Sequence, residues 1–293
     1  MRMPSGRLFA AVSNTAQVAS LLEMTPGKIN HLLSRLDKQY RPRSRKKRDG
    51  TERTLLVPSE ALKQLQRNIY DHILSKVPLL PCVLGGVRGK SPIENAAIHT
   101  KKPVVFKMDI AQCFPSIGPK RILTIFLSLG FGPEAAGLLT KVTSWQNQLP
   151  QGAPTSSALA NFALFRVDQR ITRLVEQQGF YYSRWVDDLT FSGPERIIKF
   201  RRLFQRIVEE EGFNIKPDKT QTEHAKDRQT VTNFVVNTKV NLPKETRAAI
   251  KKEVLMASLT GQPLSPSTAG KMYWLRAVNP EVGERLVKRI SGK

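Results

Sequence analysis

The sequence predicts an α+β fold, in which helical and strand-like segments are segregated along the chain. Apolar residues at helical spacing dominate both ends of the 293-residue chain, and strand-like runs that end at turns or carboxylates lie in its middle. The order is helices, a basic hairpin, a strand, helices, a hairpin, a helix, a strand and a basic helical tail. This order is typical of an α+β protein rather than of alternating βαβ units.

The N-terminal segments are predicted to be helices followed by a basic hairpin. Residues 8–36 form two helices broken at Thr25-Pro26-Gly27, and two packed helices are favoured here over a DNA-binding helix-turn-helix. Asp49-Gly50 is a hairpin-turn dipeptide inside the cationic stretch 41–53. These cations are suited to binding a triphosphate. The alternative is that they form an ordinary solvent-exposed run of charged residues. An amphipathic helix over 58–77 and a Gly-rich, cationic loop over 79–91 follow.

The middle and the C-terminal part alternate between strands and helices. Strand 103–109 leads into a helix after Pro119, and a Pro- and Gly-rich loop at 149–157 precedes a long helix that ends near Gln178. Thr155 or a nearby serine is predicted to cap that helix, with Gly179 as its C-cap. The remaining predicted elements are a helix over 197–211, strands at 213–215 and 230–236, and basic helices from 244 onward.

Two adjacent carboxylates, Asp187 and Asp188, interrupt an alternating run that reads as a β-hairpin. Like charges side by side repel each other, and a divalent cation removes that repulsion. Asp109 follows another strand-like run, so three carboxylates at adjacent strand ends are predicted to hold two Mg²⁺ ions for phosphoryl transfer. The alternative is three unrelated surface aspartates.

The net charge of +23, from 47 basic and 24 acidic residues, favours a polyanionic partner, most simply nucleic acid. A basic ribosomal-type or nonspecific binder fits this charge equally well. The two cysteines, Cys82 and Cys113, are too few for a disulfide framework or a zinc site, which fits a reducing cytoplasm. No signal-peptide pattern or membrane-spanning apolar run is present in the sequence, so no membrane association is expected.

Four motifs in order resemble those of reverse transcriptases and, more narrowly, of the bacterial retron type: NAAIH at 95–99, FKMDIAQCFPSI at 106–117, LPQGAPTS at 149–156 and WVDD at 185–188. The resemblance extends from about residue 21 to near the C-terminus. It implies a right-hand polymerase with fingers, palm and thumb, and an antiparallel palm sheet backed by helices. The implied divisions are N-terminal helices and fingers at 1–100, palm with interleaved fingers elements at 101–230, and thumb at 231–293.

The resemblance also implies roles for particular residues. Asp109, Asp187 and Asp188 are the implied catalytic residues, and together with the Ile110 carbonyl they are the implied ligands of two Mg²⁺ ions. Nucleotide binding is implied for Lys46, Arg53, Phe114, Gln151 and Lys219. RNA binding is implied for Asn95, His99, Val231, Thr232, Asn233, Lys244, Arg247 and Lys251. Phe114 would exclude a ribose 2′-hydroxyl, while a core phenylalanine is the plainer alternative.

Two positions depart from the family pattern. Asn233 stands where retron enzymes usually have glycine in a Val-Thr-Gly element tied to recognition of their own RNA, and Trp185 stands where the family usually has tyrosine. Asparagine tolerates a left-handed backbone, so the turn at Asn233 is expected to persist.

The function implied by the resemblance is RNA-directed DNA synthesis. The enzyme would use dNTPs to copy a structured noncoding RNA into a small branched single-stranded DNA. Phage defence with a separate effector protein, and template removal by a host RNase H, are expected by analogy. The alternatives are another bacterial reverse transcriptase, of abortive-infection or maturase-like type, and a noncatalytic RNA-binding protein on a polymerase fold.

Overall fold

The computed structural model of the protein describes residues 8–46, 50 and 52–290, with the backbone alone for Arg53 and Lys219. The α-helices of these residues are α1 (Thr15–Leu21), α2 (Pro26–Leu33), α3 (Glu60–His72), α4 (Pro92–Ala97), α5 (Pro119–Ser128), α6 (Pro133–Thr143), α7 (Ser156–Ala163), α8 (Phe165–Gln178), α9 (Arg201–Glu210), α10 (Lys244–Thr260), α11 (Pro266–Val278) and α12 (Pro280–Ile290). The strands are β1 (Tyr40–Lys46), β2 (Glu52–Pro58), β3 (Val104–Ala111), β4 (Tyr181–Trp185), β5 (Asp188–Gly193), β6 (Asn214–Ile215), β7 (Gln221–His224), β8 (Thr230–Val231) and β9 (Phe234–Val235).

A five-stranded antiparallel sheet forms the centre of the molecule, with β3 inside it. β5 pairs along one side of β3 and β4 pairs with β5, which confirms the predicted hairpin. The other side of β3 is shared by β7 and by β6, which pairs with its last two residues. This pairing brings the end of β3 next to the start of β5.

The sheet lies between two hydrophobic clusters. Because side chains alternate along a strand, Phe106 and Phe191 point to the face covered by α9, where Phe204 stacks on Phe191 with ring centroids 4.2 Å apart. Val105 points to the opposite face and packs in a second cluster with residues of α4, the β8–β9 hairpin and α10–α12. Asp109 is on the same side as Val105, near the end of the strand, and is 8% exposed.

Several predicted elements are confirmed. β1 and β2 pair from Tyr40 with Pro58 to Lys46 with Glu52, as predicted for the basic hairpin; Asp49 of its predicted turn lies outside the described residues. Gly179 ends α8 in the left-handed conformation, as predicted for a C-cap. No helix in the described part of the chain is long and apolar enough to cross a membrane.

The single helix predicted before Gly179 is wrong, because two helices, α7 and α8, meet at Leu164. Almost every residue of α7 is buried, whereas α8 is amphipathic, so the break lets one segment enter the core while the next lies along it. The predicted cap is also absent: the Thr155 hydroxyl makes no cap hydrogen bond, and Ser156 Oγ donates instead to Pro150 O at 2.6 Å.

The strand predicted over 230–236 is instead the tight hairpin of β8 and β9. Its two turn residues, Thr232 and Asn233, have φ of 45° and 68°. Two successive positive φ angles are typical of a type I′ turn, which matches the twist of paired strands. The expectation that asparagine preserves this turn is confirmed. Sequence patterns also missed α4 and β7, which are too short for a periodicity to develop.

The predicted RNA-binding residues Asn95 and His99 are both fully buried. His99 Nδ1 lies 2.7 Å from Ser192 Oγ and Nε2 lies 2.8 Å from Ser183 Oγ, so the imidazole bridges β4 and β5 from within the core. Neither polar side-chain atom of Asn95 has a hydrogen-bond partner in the described residues. The prediction of direct RNA contact is therefore wrong for these two side chains in this structure, since neither has exposed surface.

The buried His99 should make stability depend on pH. Burial, with the nearby Lys102 charge second, lowers its pKa from 6.5 to about 3. The unfolded chain therefore binds more protons than the folded protein between these two values, and stability falls as pH drops below about 6.5. The expected slope is on the order of 1.4 kcal/mol per pH unit. Urea unfolding of wild type and His99→Gln from pH 7 to pH 5 measures it.

The His99→Gln variant should lose this part of the slope, although it is less stable at every pH. His31→Gln, which changes an exposed histidine on α2, is the matched control and should keep the wild-type slope. Equal slopes in wild type and His99→Gln would contradict the assignment of a neutral buried imidazole.

Candidate active site

Three aspartates meet where β3 ends and β5 begins, as predicted from the sequence. Asp109 is the register partner of Asp188, and Asp187 belongs to the two-residue turn between β4 and β5. The amide of Ile110 donates to the carbonyl of Asp187 at 3.0 Å, which ties the turn to β3. Directly opposed residues in an antiparallel pair have Cβ atoms about 4.5–5.5 Å apart, so Asp109 and Asp188 face each other as neighbouring like charges.

Lys216 supplies a positive charge at this position, which sequence reasoning missed. Its ammonium contacts Asp109 Oδ1, and its amide donates to the Asp109 carbonyl at 2.8 Å. Lys216 follows β6, which pairs with the residues immediately after Asp109. Only this strand pairing distinguishes Lys216 from the other basic residues of the chain.

The donor set suits a hard divalent cation, because carboxylate oxygens are the ligands that Mg²⁺ prefers. Among the described residues, no group of three His, Cys, Asp or Glu side chains is arranged to hold a metal ion, and the Lys216 ammonium lies beside Asp109. Cys113 is not suited as a ligand: burial, and secondly the charge of Asp187, raise the pKa of its thiol to about 12. Opposed Asp109 and Asp188 are therefore the part of the site that fits a cation best.

A cleft of about 630 Å³ opens next to these carboxylates. Two predicted nucleotide-binding residues, Phe114 and Gln151, line it together with Asp187 and Lys216. Phe114 is almost buried, at 8% exposure, so only the edge of its side chain faces the cleft. The structure thus brings two of the five predicted nucleotide-binding residues to one cavity with a predicted catalytic aspartate.

The position of Gln151 depends on contact with the basic hairpin. The Leu56 amide donates to the Gln151 carbonyl at 2.8 Å. Gly152 follows at φ 121°, and a Cβ there would lie 3.2 Å from the Leu56 carbonyl. Only glycine combines this backbone conformation with so close an approach.

The predicted triphosphate cations are less completely placed. Lys46 is exposed at the end of β1, and its register partner Glu52 lines the cleft. The side chains of Arg53 and Lys219 lie outside the described residues. The role of all three in nucleotide binding stays a prediction.

Comparison with known proteins identifies the family. The reverse transcriptase (RNA-dependent DNA polymerase) family matches residues 45–252. The retron Mx65 reverse transcriptase of Myxococcus xanthus is 34% identical over 304 residues, which cover 93% of this chain and 70% of that protein. The retron Ec86 reverse transcriptase of Escherichia coli is 29% identical, with 82% of this chain and 76% of that protein covered.

The chain belongs to the retron-type reverse transcriptases. It is therefore an RNA-directed DNA polymerase, and its reverse transcriptase domain implies a polymerase palm fold. The departure from the family pattern at Trp185 lies in β4 directly opposite Asp188, with its side chain partly exposed.

The remaining predicted RNA-binding residues of this reverse transcriptase belong to the β8–β9 hairpin and to α10. Val231 is buried, which corrects the prediction that its side chain contacts RNA, and the Thr232 hydroxyl donates to the Pro92 carbonyl at 2.8 Å. Asn233 is exposed at the hairpin turn. Lys244 and Arg247 line a second cleft, of about 540 Å³, with three cations that sequence reasoning missed: Lys226, Arg228 and Lys239. Lys251 is exposed on α10.

Gly85 packs against the turn of the β4–β5 hairpin in this reverse transcriptase. A Cβ at Gly85 would lie 2.2 Å from the Val186 amide nitrogen and 2.7 Å from Trp185 Cα. Both are backbone atoms, which cannot rotate away from the added Cβ as the end of a flexible side chain would. The Gly-rich loop predicted over 79–91 thus packs at Gly85 against the turn that carries Asp187.

Replacement of this glycine should displace the turn. We expect Gly85→Ala to reduce kcat for primer extension about 100-fold, because a misplacement of about 1 Å at reacting groups has an effect of that size. Single-turnover extension of a primer on an RNA template measures it, with circular dichroism to check folding.

The control is Gly137→Ala in α6, where a Cβ meets no atom within 4 Å. That variant should keep the wild-type kcat and gain about 0.5–1 kcal/mol in stability. If Gly85→Ala behaves like Gly137→Ala, the turn does not depend on Gly85.

Proposed function

We propose that this reverse transcriptase copies a structured noncoding RNA into a small, branched single-stranded DNA by two-metal phosphoryl transfer. The observation that carries this proposal is the opposition of Asp109 and Asp188, with Asp187 in the adjoining turn, at the mouth of a cleft lined by Phe114 and Gln151. Similarity to retron reverse transcriptases over most of the chain supports the choice of template and product.

In the proposed mechanism the three carboxylates would hold two Mg²⁺ ions, with the Ile110 carbonyl as a further ligand. When bound, the ions lower the pKa of the primer hydroxyl and neutralise the charge on the triphosphate and the leaving pyrophosphate. Strand register fixes Asp109 opposite Asp188, so the two carboxylate charges stay where the metal ions would bind. Lys216 is the cation beside Asp109 in this structure, and a metal ion bound to Asp109 would compete with it.

We assign the cleft to the incoming dNTP. Phe114 would lie under the sugar and exclude a ribose 2′-hydroxyl, while Gln151 would contact the sugar edge; both positions are compatible with their shared lining of the cleft. Lys46 and Arg53 of the β1–β2 hairpin would bind the triphosphate as charge partners. Lys219 would donate a proton to pyrophosphate.

The proposed division of the chain is N-terminal helices and fingers at 1–100, palm with interleaved fingers elements at 101–230, and thumb at 231–293. The thumb cations Lys244, Arg247 and Lys251 would lie along the backbone of the RNA-containing duplex, giving affinity that falls with salt. Asn233, exposed at its hairpin turn, is the residue of 231–233 best placed to touch the cognate RNA.

The biological setting is proposed by analogy with the family. Synthesis would start from an internal guanosine 2′-hydroxyl of the RNA, and a host RNase H would remove the copied template. A separate effector protein would complete a phage-defence system in the cytoplasm. These steps rest on the resemblance to the retron family.

Removal of the turn carboxylates should abolish synthesis. We expect the double variant Asp187→Asn, Asp188→Asn to lower primer extension on an RNA template with Mg²⁺ by at least about 1,000-fold. Metal ions contribute several kcal/mol to such transition states, and each 1.4 kcal/mol is about a factor of ten. Affinity for the RNA, measured by filter binding, should be nearly unchanged.

Asp37→Asn, which neutralises an exposed aspartate before β1, is the matched control and should extend the primer as wild type does. If the double variant retained extension, the metal-ligand assignment would be wrong. If wild type bound RNA but incorporated no dNTP under any divalent cation, the noncatalytic alternative would be favoured.

The nucleic acid that copurifies with the protein tests the retron proposal directly. We expect wild type, expressed with its neighbouring genomic sequence, to carry a short DNA whose mobility on a denaturing gel changes after RNase treatment, because a 2′-linked branch joins it to RNA. The double aspartate variant should carry RNA alone. A linear DNA without a branch would favour another bacterial reverse transcriptase.

A further inference from the structure

The side chain of Arg184 in β4 is fully buried, although it is a cation beside the catalytic hairpin. Its Nε and Nη2 donate to the two carboxylate oxygens of Asp168 in α8, at 2.8 Å and 2.6 Å. Its Nη1 donates to Asn161 Oδ1 at 2.8 Å and to the carbonyl of Val186 at 2.7 Å. One guanidinium therefore joins two palm helices to the turn that carries Asp187.

The groups around Arg184 are themselves hydrogen-bonded. The Tyr182 hydroxyl donates to Asp168 Oδ1 at 2.8 Å, and Asn161 Nδ2 donates to the carbonyl of Gly85 at 3.0 Å. Gly85 in turn lies against the Val186 backbone. Arg184 thus reaches the turn directly through Val186 and indirectly through Asn161 and Gly85.

The turn needs such support because its conformation is unfavourable. Val186 has φ 60°, the left-handed region, where a β-branched residue is a genuine outlier. A residue held there costs on the order of 1–3 kcal/mol and persists only when its surroundings determine it. The Nη1 contact to the Val186 carbonyl and the close approach of Gly85 are surroundings of that kind.

Stability alone does not explain a buried ion pair at this point. Desolvation of two charges offsets most of their attraction, and well-packed apolar residues often serve as well. An arginine fork differs from an apolar side chain because it fixes several oxygen atoms in one plane and at set distances. Here one of those oxygens belongs to the residue before Asp187.

We propose that Arg184 is a positioning residue for catalysis: paired with Asp168, it fixes the Val186 carbonyl and thereby the backbone from which Asp187 reaches a metal ion. The inference rests on the proposed function, in which Asp187 is a metal ligand. Arg184 acts through the turn and touches neither substrate nor metal.

The test compares Arg184→Lys with Tyr182→Phe. Lysine keeps the positive charge against Asp168 but has no fork to reach Asn161 and Val186 together. Tyr182→Phe likewise removes a hydrogen bond to Asp168, but it leaves the hydrogen bonds of Arg184 to Asn161 and Val186 in place. Mn²⁺ binding by electron paramagnetic resonance, without substrates, is measured beside Tm, kcat and the KM for dNTP.

We expect Arg184→Lys to weaken Mn²⁺ binding and to lower kcat about 10–100-fold, as loss of groups that orient metal ligands does, with little change in KM. Tyr182→Phe should lower Tm while Mn²⁺ affinity and kcat stay within about twofold. A second variant, Asn161→Ala, leaves the Arg184–Asp168 pair intact and removes the link to Gly85. We expect Asn161→Ala to weaken Mn²⁺ binding about tenfold, the lower end of the effect that loss of groups orienting metal ligands has. If Arg184→Lys does not fold, Asn161→Ala tests the positioning role in its place.

Asp187→Asn separates failure of this inference from failure of the proposed function. If Asp187→Asn weakens Mn²⁺ binding but Arg184→Lys and Asn161→Ala bind Mn²⁺ as Tyr182→Phe does, the positioning role is overturned and the metal assignment stands. If Asp187→Asn leaves Mn²⁺ binding unchanged, the metal assignment fails, and this inference fails with it.

Discussion

The antiparallel pairing of β3 with β5 is the constraint on which the site depends. It places Asp109 directly opposite Asp188, where two like charges repel each other. The β4–β5 turn adds Asp187, and the Ile110 amide binds this turn to β3. A nearby cation offsets this repulsion, and in this structure the Lys216 ammonium provides one beside Asp109. The same repulsion makes the site suitable for divalent metal ions.

The surroundings of the aspartates hold a turn that local preferences would not choose. Val186 lies in the left-handed region, Gly85 packs against it without a side chain, and Arg184 binds its carbonyl from the core. On the opposite face of the central sheet, His99 bridges the two strands of the same hairpin through two serines. The hairpin that carries Asp187 and Asp188 is thus fixed from both faces of the sheet, which suits the preorganised site that the proposed function requires.

Part of the large positive charge is concentrated at the basic cleft formed by residues 226–247, where Lys226, Arg228 and Lys239 join Lys244 and Arg247. The cleft beside the aspartates differs, because its charged lining residues are Glu52, Asp187 and Lys216. A phosphate backbone is the partner that the basic cleft favours, because each neutralised phosphate releases counterions. The hydrophobic cluster that contains Val105 connects α10–α12 to the central sheet, and Leu242 of the second cleft belongs to it.

The sequence by itself determined the features that depend on neighbouring residues: the Asp187-Asp188 hairpin, the C-cap at Gly179 and the order of motifs that identifies the family. Local alternation and turn preferences are sufficient for these. The tertiary structure alone decided the break at Leu164, the burial of Asn95 and His99, the place of Lys216 beside Asp109 and the Arg184–Asp168 pair. Each of these depends on strand pairing or on packing between distant segments, as where His99 meets Ser192 across 93 positions. Periodicity carries no information about such contacts, because burial and charge pairing are set by the partner segment and not by the segment itself.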